Sequence, residues 1–287
     1  MEIIDRLTHL RLGNVRYSIT GNPTKDLVVL MHGLTTPKEV FDEITEKLVE
    51  NHFQVLAFDF YGRGKSDCIQ PISSENVYVE QSIELIEKFI PFEKERNLHL
   101  IGYSTGGPIA AMTAIQLNHK VNSLTLIASS GVPGEPSSPV LLNMLDIIHK
   151  NGEIDEDVKK EIEKLIFDEV GLIKSEKMKS KILNIVNDQK FWSDDTFQTV
   201  RGHLKATGGY IGEKSINHVF ENIGELGIPT FILSGTNDSW VNPEAAKKIH
   251  QLISSSEIKE FEGISHWAFL EDPETYSKNI LDFIASA

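Results

Sequence analysis

Cysteine is almost missing from this chain. The single example, Cys68, leaves no partner for an internal disulfide and no set of thiolates for a zinc site. It reads as a small residue near a loop, since a thiol nucleophile needs a histidine beside it. Long apolar runs are missing too: no stretch approaches the roughly 18 apolar residues that cross a membrane. Residues 1–20 carry charges throughout, unlike the apolar core of a secretion signal. The expectation is a cytoplasmic protein with no membrane span. Positive charge is in deficit, with 28 Lys and Arg against 42 Asp and Glu and a formal net charge of −14. Nucleic-acid binding rests on basic side chains meeting phosphates, so nucleic acid is not an expected partner. Internal repeats and low-complexity tracts are also absent.

What remains is ordinary for a soluble globular chain. Its 287 residues suffice for one large core, or one core plus a smaller subdomain. Short apolar runs alternate with helical patterns, the signature of βα units laid into a parallel sheet. Residues 8–12 and 15–20, separated by Gly13-Asn14, read as an antiparallel hairpin at one sheet edge. Residues 27–31 (LVVLM) form the kind of run that a strand buried on both faces requires. Further strands are expected at 54–60, 98–103, 123–128, 229–233 and 258–261. Helices are expected from about Pro37, around 74–90, and at 108–117, 243–252 and 273–284.

Between residues 131 and 228 the alternation stops. A Pro- and Ser-rich linker (132–139) leads into helical spacing only, with Ile154, Val158, Ile162, Leu165 and Ile166 on one face. Met178, Ile182, Leu183 and Val186 repeat that pattern. The expected organisation is a core in two parts, residues 1–131 and 228–287, with a helical cap at 132–227 inserted between sheet strands.

The strongest chemical signal is Gly102-Tyr103-Ser104-Thr105-Gly106, directly after a buried strand and directly before a helix. A strand that turns sharply into a helix puts its central serine on a strained tip, and small neighbours let the helix return against the sheet. A serine hydroxyl needs a base. Of 10 histidines, His266 stands in a short loop after the last strand, where sheet enzymes gather their groups. His32 precedes the turn after the first parallel strand and more naturally shapes that loop. The base in turn needs an acid. Asp238, just past the strand at 229–233, gives the order Ser…Asp…His, and Asp59 is the rival, in a setting that reads as loop-stabilising. An oxyanion hole would use the main-chain amides of Leu34 and Thr105.

At this point the chain resembles the α/β-hydrolase superfamily over nearly its whole length. The blocks that carry the resemblance are His32-Gly33, residues 59–67 (DFYGRGKSD), 102–107, 235–238 and 263–266, in that order. They are similar to those of the esterase, monoacylglycerol-lipase-like and C–C-bond hydrolase branches. Epoxide hydrolases and haloalkane dehalogenases carry Asp at the position of Ser104, which counts against both. The resemblance implies an α/β-hydrolase fold: a mostly parallel sheet flanked by helices, with the cap described above. The expected activity is a carboxylesterase for small or medium acyl esters, acting through an acyl-enzyme without cofactor or metal. Leu141, Leu142, Met144 and Leu145, just past the linker, and Trp267 are candidates for the acyl pocket. The expected partner is a small ester-type substrate, and both a monomer and a dimer suit the sequence. C–C-bond cleavage, peracid formation and a slowly hydrolysing ligand receptor are the alternatives.

Overall fold

A computed structural model of the chain describes residues 3–34, 36–69, 76–89, 96–131, 143, 156–173, 175–187 and 217–287. Eight strands form one sheet: β1 (Asp5–Leu10), β2 (Gly13–Thr20), β3 (Leu27–Met31), β4 (Gln54–Phe58), β5 (Leu98–Tyr103), β6 (Ser123–Ile127), β7 (Thr230–Gly235) and β8 (Glu257–Phe261). Their spatial order is β1-β2-β4-β3-β5-β6-β7-β8. β2 runs antiparallel to both of its neighbours, and every pairing from β4 to β8 is parallel.

Side-chain alternation explains why the central strands are apolar at every position. Leu27, Val29 and Met31 of β3 join one core, and Val28 and Leu30 join another on the opposite face. β4 divides in the same way, Leu56 and Phe58 against Val55 and Ala57. The first core is closed by α2 (Val77–Phe89), α3 (Gly106–Leu117), α6 (Asn217–Leu226) and α7 (Glu244–Leu252). The second is closed by α1 (Asp42–Glu50) and α8 (Pro273–Ser286). β8 lies at the far edge, and its charged, largely exposed side chains suit a strand with one neighbour.

The strand order reverses at β3. From β3 the chain passes through α1 to β4, then crosses back through α2 to β5 on the other side of β3. The loops leaving β3 and β5 therefore depart toward opposite faces and open a crevice at the strands' C-terminal ends.

Within the stretch between β6 and β7, the described helices are α4 (Glu156–Val170), α5 (Glu176–Val186) and α6. Met178 and Ile182 of α5 are buried in the second core, on the face expected from their spacing. Lys181 pairs with Asp42 of α1, and the Ser175 hydroxyl donates to Glu43 at 3.2 Å. α6 packs against α3 and sends Val219, Phe220 and Ile223 into the first core. No described helix is long and apolar enough to cross a membrane.

Among the local expectations that shift, three have a visible cause. The hairpin turn is Arg11-Leu12, not Gly13-Asn14: Asn14 already pairs with His9, and its amide donates to Asp67 at 2.7 Å. β4 stops at Phe58 because Asp59 turns its carboxylate to the Lys38 and Lys65 amides, while the Phe60 amide goes to His32 Nε2 at 2.9 Å. The helix after Pro37 begins as a 3₁₀ turn, Lys38–Phe41, before α1.

His99 of β5 is buried, with Nδ1 2.8 Å from the Ser123 hydroxyl, and burial pushes its pKa down to about 4. The folded ring is thus neutral where an unfolded histidine takes up a proton below about pH 6.5. Stability contributed by this site is present above that pH and is lost as pH falls toward 4, by up to about 1.4 kcal/mol per pH unit. His99→Asn keeps a polar atom near Nδ1 but cannot titrate. In urea unfolding series from pH 7 to pH 5, the stability gap between wild type and His99→Asn should shrink as pH falls. A constant gap would show that His99 titrates alike in both states.

Candidate active site

β5 delivers Ser104 to the crevice. Ser104 adopts φ 53°, a left-handed conformation that costs a non-glycine residue roughly 1–2 kcal/mol. Its main chain is held on both sides: the Ser104 amide donates to Ile127 O at 2.9 Å, and Ser104 O accepts from Gly107 N at 3.0 Å and Ser130 N at 3.2 Å. The turn closes only because side chains are absent around it. A Cβ on Gly102 would run into the Gly106 carbonyl, and one on Gly106 into the Met31 carbonyl at the end of β3. Gly33 lies so near that a Cβ there would sit 3.3 Å from Ser104 Cβ.

His266, in the loop after β8, places Nε2 3.1 Å from Ser104 Oγ. Its Nδ1 is 2.8 Å from Asp238 Oδ2, in the loop after β7. The other carboxylate oxygen, Asp238 Oδ1, accepts the amides of Trp240 and Val241, both at 2.8 Å. All three side chains belong to buried residues. A carboxylate that accepts at Nδ1 requires the proton on that nitrogen, which leaves Nε2 free to accept from Ser104 Oγ.

Sequence reasoning missed the groups that hold the imidazole. The Tyr103 hydroxyl donates to the His266 carbonyl at 3.0 Å, and the Trp240 ring stacks on the imidazole with centroids 5.7 Å apart. Glu271, buried in the same loop, accepts from both the amide and the hydroxyl of Ser265. The loops carrying Asp238 and His266 are joined directly: Asn237 N donates to Ile264 O at 2.9 Å, and Gly263 N to Thr236 Oγ1 at 2.9 Å. Only adjacency in sequence (Tyr103 before Ser104, Trp240 just after Asp238) could have hinted at any of these contacts.

The remaining expected residues divide. Asp59 is far from this chain of contacts in role: it is fully buried, accepts from Lys38 N at 2.8 Å and Lys65 N at 3.0 Å, and lies 3.3 Å from Arg16. Burial raises its pKa, and the neighbouring Glu39 adds to the rise. His32 likewise serves the loop. Its Nε2 accepts from Phe60 N, so Nδ1 carries the proton and donates to Gly33 O at 2.7 Å. Burial pushes its pKa to about 3, which keeps the ring neutral. Leu34 is half-buried and follows Gly33 beside Ser104; Thr105 stands immediately before α3, where helix amides lack internal acceptors. Trp267 is buried next to His266, and its indole N–H has no partner among the described residues. Leu141, Leu142, Met144 and Leu145 lie outside the described residues. Among the described residues, no group of three or more His, Cys, Asp or Glu is placed to hold a metal ion.

Residues 22–273 match the family model described as serine aminopeptidase, S33. The chain belongs to this family. It is an α/β-hydrolase, and its sheet and flanking helices are those of that superfamily. A 2-hydroxy-6-oxononadienedioate/2-hydroxy-6-oxononatrienedioate hydrolase of Klebsiella pneumoniae is 25% identical over 270 residues, covering 92% of this chain and 88% of the relative. Mouse monoacylglycerol lipase ABHD6 is 23% identical over 286 residues, covering 94% of this chain and 79% of the relative. The solved structure of the 2-hydroxy-6-oxo-6-phenylhexa-2,4-dienoate hydrolase of Rhodococcus sp. strain RHA1 superimposes with a TM-score of 0.78 at 20% identity, covering 99% of both chains.

The close approach at Gly106 yields a stability test. Gly106→Ala forces a methyl group into main chain that cannot yield, so it should cost about 3 kcal/mol or more in urea unfolding. Gly263→Ala meets nothing within 4 Å and carries only the strain of φ +71°, about 1–2 kcal/mol. Equal losses from the two substitutions would mean that clearance against β3 does not govern the Ser104 turn.

Proposed function

We propose that this hydrolase cleaves carboxylic esters of small or medium acyl chains, with Ser104 as nucleophile, His266 as general base and acid, and Asp238 as the orienting carboxylate. The observation that carries this reading is the unbroken chain Ser104 Oγ, His266 Nε2, His266 Nδ1, Asp238 Oδ2, with Ser104 on a strained turn at the sheet's crevice. His266 Nε2 takes the Ser104 proton as Oγ adds to the ester carbonyl. Asp238 holds Nδ1–H and stabilises the imidazolium that forms. The amides of Leu34 and Thr105 donate to the tetrahedral oxyanion, and Thr105 at the head of α3 adds the favourable field of a helix N-terminus. The imidazolium then gives its proton to the departing alcohol. Water, deprotonated by the same Nε2, attacks the acyl-enzyme and releases the acid. Residues 132–227 act as the cap that selects the acyl group, with Trp267 beside the base contributing to the pocket.

C–C-bond hydrolysis by the same residues is the second reading, favoured by the named activities of the Klebsiella and Rhodococcus relatives. The monoacylglycerol lipase among the relatives favours the ester reading. A panel of nitrophenyl esters from acetate to decanoate, run beside a 2-hydroxy-6-oxo-dienoate, separates the two. The ester reading expects kcat/KM to peak at a short or medium ester and exceed that for the dienoate by at least about tenfold. The reverse ranking would make the enzyme a C–C hydrolase, and no turnover of either compound would leave a ligand-binding role.

Asp238→Asn should leave the fold intact and lower kcat on the order of 10⁴-fold, because the tautomer is no longer fixed. The comparison is Asp59→Asn, measured with thermal melts alongside steady-state kinetics. Near-normal turnover in Asp238→Asn, with the severe loss in Asp59→Asn, would reverse the assignment of the acid.

A further inference from the structure

Arg63 is a permanent cation that is only 4% exposed. Among the described residues no carboxylate lies within ion-pairing distance of it. Its donors go to neutral oxygens: Nε to Leu34 O at 2.7 Å, and Nη1 to Tyr61 O at 2.9 Å and to the Tyr78 hydroxyl at 2.5 Å. The guanidinium carbon also sits 5.1 Å from the centre of the buried Tyr78 ring. A cation buried without a counter-ion costs several kcal/mol of lost hydration, which hydrogen bonds and a ring face offset only in part. A leucine or methionine would fill such a site without that cost. What the guanidinium adds is a rigid fork joining two loops, the one that leaves β4 and the one that leaves β3.

The β3 loop carries Leu34, whose amide is an oxyanion donor in the reading above, and the inference rests on that reading. The direction of a main-chain N–H is set by its peptide plane. In a trans peptide the C=O and the next N–H point opposite ways, so the bond from His32 Nδ1 to Gly33 O also aims the Leu34 N–H. That bond fixes the plane before Leu34. The plane after Leu34 is fixed from outside the loop by Arg63 Nε on the Leu34 carbonyl. With both planes pinned, the two soft dihedrals of Leu34 have no freedom to turn its amide away from Ser104. The two pins share a base as well, since the Phe60 amide that locks the His32 tautomer stands three residues before Arg63.

We propose that Arg63 is a positioning residue for the oxyanion hole: it clamps the Leu34 carbonyl and so holds the Leu34 amide toward the oxyanion that forms when Ser104 attacks. The clamp needs the guanidinium's geometry rather than its charge. Lysine offers a single nitrogen and cannot reach Leu34 O and Tyr61 O from fixed directions at once.

The test compares wild type with Arg63→Met, Arg63→Lys and Tyr78→Phe. Kinetics use a short nitrophenyl ester, with active protein counted by fluorophosphonate labelling of Ser104, and hydrogen exchange is followed in the peptide that carries Leu34. Arg63→Met should lower kcat about 10²-fold, near the loss seen when an oxyanion donor is misplaced. KM should stay within threefold, and exchange should quicken in the Leu34 loop, where the Gly33 amide donates to Thr36 Oγ1, but not in β3. Arg63→Lys should stay close to Arg63→Met. Tyr78→Phe, which removes one brace of the fork, should lose severalfold in kcat and guards against failure of the Met variant to fold. Full kcat per labelled molecule with only a lower Tm would reduce Arg63 to a structural role and overturn the proposal. So would rescue by Arg63→Lys, or a kcat loss with unchanged exchange in the Leu34 loop. If wild-type protein hydrolyses no ester, the ester reading falls while Arg63 is still judged on exchange: faster exchange upholds the clamp, and unchanged exchange overturns it.

Discussion

Ser104 stands in a backbone conformation that favours glycine, and the rim of the sheet is arranged around keeping it there. The strain is small beside the interactions that hold it: an amide bonded to β6, a carbonyl accepting from both Gly107 and Ser130, and a helix that turns back against β3. The return of α3 is possible only where no side chain intervenes, so clearance at Gly102 and Gly106 is the condition on which the rest depends. Once met, it sets Ser104 at the point where the loops from β3 and β5 part. The groups that complete the proposed chemistry then need only arrive at the same rim from β7 and β8.

They arrive on loops, and buried polar groups stiffen those loops. Glu271 binds the turn before His266, Asp238 gathers the amides that follow it, and the two loops bond to each other. On the other side of the crevice, Asp59 ties the start of the 3₁₀ turn to the loop after β4, and Arg16 joins Asp59 to Asp5 and Glu39. Lys38 closes this network with a 2.6 Å contact to Asp5. Buried charges of this sort contribute little net stability, but they admit few alternative geometries. A site whose function depends on distances of about 3 Å gains more from such restriction than from added apolar burial.

Much of this was legible in the sequence, and for physical reasons. A strand covered on both faces is largely apolar, so residues 27–31, 98–103 and 123–128 announce themselves, the last with one residue too many. The Ser104 turn needs glycines at fixed offsets, and the order of parallel strands puts an aspartate and a histidine on later loops, which is enough to nominate Asp238 and His266, whose side chains the structure brings into contact. Less legible were contacts that depend on long-range approach. Tyr103 reaches a carbonyl 163 residues away, and Arg63 binds a carbonyl 29 residues before it, with no local pattern to mark either one. The hairpin turn was misplaced because Asp67, far along the chain, captures Asn14 for the strand. β4 ended early where the Asp59 carboxylate takes two loop amides and the Phe60 amide turns to His32, contacts that no local pattern marks.

The central claim is that Ser104 becomes acylated during turnover. Rapid quenching of the enzyme with a short nitrophenyl ester, followed by mass analysis of the protein and its peptides, tests it most directly. A burst of nitrophenolate approaching one per protein molecule is predicted, with a single added acyl group on the peptide spanning residues 102–106 and none in Ser104→Ala. Turnover that persists in Ser104→Ala, or that proceeds with the acyl group on another residue, would contradict the account.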